Sequence, residues 1–90
     1  PHGMALEYII TADVIRFDAV PEDRAILEVR WSLWRGNDRE LLINKKSSFQ
    51  TPLQSSKYDV LVAAMSACLS DFSHEVAKAV VEYYHFDHQN

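Results

Sequence analysis

The hydrophobic positions change period once along the chain. Between Ala25 and Trp34 they alternate: Ala25, Leu27, Val29, Trp31 and Leu33 share one side, and Ile26, Glu28, Arg30, Ser32 and Trp34 share the other. This is a strand, read as residues 24 to 35, with one core face and one mostly polar face. The polar face ends in Trp34, a side chain that is costly to leave wet, so something must cover it.

A β-rich run precedes it at residues 8 to 17, "YIITADVIRF", and stops at the turn-prone "DAVPED", where Pro21 cannot donate to a ladder. In this run Tyr8, Ile10, Ala12 and Val14 share a side, but Ile15 and Phe17 fall on the other. Either a bulge near Val14 flips the register, or the strand is buried on both faces. After strand two, "RGND" is a short hairpin connection in which Gly36 and Asn37 tolerate positive φ. A third strand follows from about Glu40 to Phe49, with Leu41, Ile43 and Phe49 on one face and Lys45 and Ser47 interrupting them.

Beyond "TPLQ" the spacing becomes 4, 3, 4, 3 through Tyr58, Val62, Met65, Leu69, Phe72, Val76, Ala79 and Tyr83, the stripe of one helix. Leu61, Ala64 and Cys68 widen the stripe. Ser56 with Asp59 resembles a capping box, so the helix is expected from about Ser56 to Tyr83 or Tyr84, roughly 40 Å at ~1.5 Å per residue. Leu69 and Phe72 lie mid-stripe and are expected to face Leu27, Val29 and Trp31. A coiled coil would use a similar stripe, but the flanking charges are sparse and a sheet is available to receive it.

Ninety residues with 48% hydrophobic and 24% charged positions describe one small globular domain. A chain of this size buries little more than ~60% of its unfolded surface, so a partner would help it. The net charge of −4 argues against a nucleic-acid surface, and Lys45-Lys46 is only a pair. A single cysteine, Cys68, forms no internal disulfide and reads as a small buried residue. On one helix, Cys68 and His74 point about 120° apart, which is poor geometry for a thiol and its base. His85-x-x-His88 has metal-ligand spacing, but it lies in the last six positions with no third ligand. No catalytic, metal or cofactor site is expected, and an enzyme is the least favoured reading.

A family resemblance rests on "ADVIRFDAVPEDRAILEVRWSLWRGNDRELL" followed by "SFQTPLQSSKYDVLVAAMSACLSDFSHEVAKAV". Arg16-Phe17-Asp18 at a strand end, Leu27 to Trp31 in the next strand, Tyr58 opening the helix, and "LVAAMSACL" with "FSHEVAKAV" along it carry the likeness over residues 9 to 81. In this the chain resembles the C-terminal half of the ABC-type transport auxiliary lipoprotein family, the accessory component of Pqi-type intermembrane lipid transport systems. The resemblance implies a non-enzymatic periplasmic lipoprotein held at the outer membrane, working with a permease, an ATPase and a substrate-binding MCE protein. The family's lipid-attachment signal and N-terminal half have no counterpart here, so membrane attachment is expected only through an anchor that this chain lacks.

The expected architecture is α+β: a three-stranded antiparallel meander with one long C-terminal helix across a face. Residues 1 to 6 read as a tag remnant or disordered start, 7 to 84 as the domain, and 85 to 90 as a flexible tail. The face away from the helix should carry Ile26 and Trp34, joined by Ile15 and Phe17 if strand one keeps its register. These four residues are the interface candidates of an expected homodimer. The alternative function is a small homodimeric interaction module unrelated to transport.

Overall fold

The computed structural model describes residues 7–36 and 38–89. The expected start at residues 1 to 6 and the turn residue Asn37 lie outside the described residues. Three strands, β1 (Tyr8–Val20), β2 (Arg24–Arg35) and β3 (Glu40–Pro52), are followed by one helix, α1 (Tyr58–Asp87). The sheet is antiparallel in the order β1-β2-β3, and α1 lies on one face: the β-β-β-α arrangement the periodicity predicts.

Each strand runs close to the expected segment, and β1 and β3 extend three residues further than expected. The β1–β2 connection is a tight turn in which the Asp23 N–H donates to the Val20 carbonyl at 3.0 Å. The left-handed backbone falls on Glu22 (φ 60°), not on a glycine. In the β2–β3 connection Gly36 is needed for space: a Cβ there would lie 2.9 Å from the Glu7 Cβ, and its N–H donates to the Glu7 carbonyl at 2.7 Å. The positive φ expected at Gly36 and Asn37 appears, among the described residues, at Arg39 (φ 55°).

Two register shifts decide which side chains share a face. In β1, Val14 sits opposite Val29 and Arg16 opposite Glu28, so Ile15 is the extra residue of a bulge. The bulge is the first of the two alternatives open in the sequence, and it returns Phe17 to the helix side, opposite Leu27. In β3, Ile43 faces Leu33 while Leu41 faces Trp34, so Leu42 is the extra residue. Leu41 therefore leaves the face of Ile43 and Phe49 and joins Trp34 on the outer face.

The core lies between β2, β3 and α1. Ala25, Leu27, Val29, Trp31 and Leu33 pack with Ala64, Cys68 and Ala79 of the helix. Phe72 closes edge-on against Trp31, with ring centroids 6.3 Å apart, and tilts against Phe49 at 6.0 Å. The expected stripe holds at Met65, Phe72, Val76, Ala79 and Tyr83, which pack against the core, and is corrected at three positions. Tyr58, Val62 and Leu69 are exposed, and the line facing the sheet runs through Leu61, Ala64, Cys68, Phe72, Glu75 and Ala79. An ideal helix turns every 3.6 residues, so a strict 3.5-residue stripe drifts off the contact line. The residues of that line buried against the sheet most completely, Ala64, Cys68 and Ala79, are small.

The helix ends also differ from expectation. Its N-cap is Lys57, with no side-chain cap, so Ser56 and Asp59 form no capping box. The Ser55 hydroxyl instead accepts from the Lys57 N–H at 3.2 Å. At the other end the helix continues to Asp87, past the expected stop at Tyr83 or Tyr84.

Candidate functional site

Lys45 and Ser47 interrupt the apolar face of β3 because a carboxylate crosses from the helix to meet them. The Trp31 indole N–H donates to the Ser47 hydroxyl and to the Glu75 carboxylate, each at 3.1 Å. The Ser47 hydroxyl also donates to Glu75, and the Lys45 ammonium lies 3.6 Å from the same carboxylate. One apolar-to-polar break on β3 is thus matched by one polar residue in the helix line. It satisfies the donor of a tryptophan that is only 1% exposed.

A second polar cluster ties the chain's two ends together. Arg35, at the end of β2, grips Asp87 of α1 with two guanidinium nitrogens at 2.6 and 3.1 Å, and the Tyr8 phenol donates to the same carboxylate. Arg35 also bonds Glu40 across the hairpin. The Arg35 bonds foremost, then the Tyr8 bond, hold the Asp87 carboxyl below its ordinary range. Burial first and the Asp87 carboxylate second push the Tyr8 phenol up to about 12. The C-terminal turn is therefore fastened to β1 and β2.

Trp34 is covered by its own sheet. Its cross-strand neighbours on the outer face are Ile9 and Leu41, and it is half-buried between them. With Ile9, Thr11, Gly36 and Arg39 it lines a cavity of about 260 Å³. Ile26 is 2% exposed on the same face, opposite Asp18 and Gln50. The four interface candidates are therefore not brought together. Ile26 and Trp34 lie on the outer face, Phe17 faces the helix side, and Ile15 sits in the bulge at 53% exposure.

A second uncovered apolar surface lies on the helix side. α1 rests mainly over β2 and β3 and covers β1 least. Ile10, Val14 and Phe17 of β1 stay 41%, 62% and 37% exposed. Beside them the α1 flank through Phe72, Val76, Ala77, Val80 and Val81 forms the other wall of a groove floored by Ile10. An 18-residue window of α1 reaches a mean hydropathy of 1.2, long and apolar enough by composition to cross a membrane. Core helices pass the same test, and here much of that apolar surface is the wall of the groove.

The remaining chemistry is dispersed. The Cys68 thiol is sealed against the sheet, 3.5 Å from the Phe49 carbonyl and the Thr51 hydroxyl. His74 is exposed beside Lys45, Glu75, Lys78 and Glu82. His88 stacks on Tyr84 at 4.0 Å. Among the described residues no three His, Cys, Asp or Glu side chains gather as a metal site would require.

A profile of the ABC-type transport auxiliary lipoprotein component family matches residues 1–77. No curated protein and no solved structure matches the chain.

Proposed function

Because the chain belongs to the ABC-type transport auxiliary lipoprotein component family, we propose that it is a non-enzymatic accessory subunit of an MCE-type envelope system that moves lipids or organic compounds. It works in the periplasm as part of an outer-membrane lipoprotein, assembles as a homodimer, and contacts the permease and ATPase complex or the MCE-type substrate-binding protein. The observation that carries this reading is the apolar groove between β1 and α1. Exposed apolar surface of this extent on a small domain is characteristic of contact with another protein. The polar clusters at Glu75 and Asp87 are engaged within the fold and so act as fasteners of the scaffold.

Affinity capture of the native full-length protein from detergent-solubilised envelopes tests the proposal. The permease, ATPase or MCE protein should co-purify, and Val81→Lys, at a 54% exposed position on the groove wall, should reduce their yield. Recovery of none of the three, with the protein folded, would overturn it.

A further inference from the structure

We propose that a second copy of this chain pairs with the open edge of β1, antiparallel about a two-fold axis at the bulge, so that Asp13 of each copy faces Arg16 of the other. The proposal deepens the homodimer part of the function above and rests on it, but does not depend on which transport system is served.

Among the described residues β1 pairs with β2 alone, and its other side is open. It is a 13-residue strand without proline or lysine, although the bulge at Ile15 and the charges Asp13, Arg16 and Asp18 are features that guard an edge against indiscriminate pairing. Its backbone groups on the open side are a template for one more strand, and the bulge selects how a second β1 fits it. Asp13 lies opposite Arg30 and Arg16 opposite Glu28, so both project to the outer face although three residues separate them. Ala12 lies opposite Trp31 and Phe17 opposite Leu27, so both project to the helix side. An axis through Val14 then sets Asp13 against Arg16, Ala12 against Phe17, Thr11 against Asp18 and Ile10 against Ala19. Every pair shares a face.

The outer row reads negative, positive, negative through Asp13, Arg16 and Asp18, and the inner row matches a small residue with a large one. Arg16 already holds Asp18 of its own strand at 3.1 Å, so it would stand between two carboxylates. The immediately neighbouring registers are worse. Moving the axis one position either way sets Asp13 against Asp13 or Arg16 against Arg16, like charges directly opposed. A half-position slip turns the helix face of one copy onto the outer face of the other. The selected pairing joins Ile10, Val14 and Phe17 of both copies into one apolar floor.

Light scattering on the purified chain at tens of micromolar tests this directly. The wild type should be a dimer, and Val14→Lys should be a monomer, because it places two ammonium groups at the axis while sitting at a 62% exposed position of the single copy. Asp13→Arg and Arg16→Asp should each weaken the dimer roughly tenfold at low salt, and the double exchange should restore it. Circular dichroism should confirm that each variant keeps the wild-type fold. A monomeric wild type overturns both the proposal and the homodimer reading. A dimer that survives Val14→Lys, or a double exchange no better than the singles, overturns the β1 pairing while leaving self-association intact.

Discussion

The central strand of the sheet and its β1 edge are built from similar residues and end in opposite states. On β2, the inward row from Ala25 to Leu33 is at most 1% exposed. On β1, the inward Ile10, Val14 and Phe17 keep between 37% and 62% of their surface. Both rows alternate and both are apolar, so strand hydrophobicity does not explain the contrast. The helix does. Its small residues Ala64, Cys68 and Ala79 let it settle close over β2 and β3, and Glu75 fixes it there through Trp31, Ser47 and Lys45. A single helix is about two strands wide, and a three-stranded sheet leaves one strand over. The covered half carries stability, and the uncovered half is available for association.

That division is broken most severely at Trp31. Replacement by alanine removes the largest fully buried side chain, its edge contact with Phe72, and the donor that Ser47 and Glu75 accept from. The expected cost is about 3–5 kcal/mol, a large share of a small domain's stability. Urea unfolding at neutral pH measures it, and a midpoint close to wild type would show that the β2–α1 contact is not the core.

A smaller effect is expected at the fastener between the chain ends, and its signature is pH. Asp87 is held below its ordinary range, so its contribution is complete above the unfolded-state value of ~4 and is lost as pH falls toward the depressed folded value. Tyr8 is pushed up to about 12, so its contribution is complete below the unfolded-state value and is lost as pH rises from ~10 toward 12. Asp87→Asn should lower stability at neutral pH and flatten the acid limb of a Tm-against-pH curve. Tyr8→Phe should flatten the alkaline limb and, by removing one of the bonds that hold Asp87 low, soften the acid limb less than Asp87→Asn does. Parallel curves for wild type and Asp87→Asn below pH ~5 would sink the assignment.

Element identity was legible in the sequence, because period two and the helical stripe are local properties of the chain. The bulges were not, since the extra residues Ile15 and Leu42 are defined only against a partner strand. For the same reason Phe17 and Leu41 were on unassigned or wrong faces until pairing was known. Lys45 and Ser47 were visible as exceptions, but the carboxylate that explains them lies 28 residues beyond Ser47 in the chain. Asp87 looked like tail because terminal polar residues usually fray, and only its distance to Arg35 shows otherwise. Trp34 raised the right question, yet its cover comes from Ile9 and Leu41 within the sheet, and a further open apolar surface lies on the opposite face.

Leu69 gives the smallest effect and the finest test of the comparison. The 4-3-4-3 spacing places it mid-stripe, where Leu→Ala would cost roughly 2–5 kcal/mol. In the structure it is 45% exposed, because Cys68 occupies the contact line at that turn and Leu69 is carried onto the flank. Alanine there leaves no closed cavity and has the higher helix propensity, which offsets part of the lost contact. The expected change is within about 1 kcal/mol. Leu69→Ala and Phe72→Ala, compared by urea unfolding, should therefore differ sharply although both lie on the same sequence stripe. Equal losses would mean that the helix is rotated about its axis toward β1, which would close the groove and reverse the contrast between the two halves of the sheet.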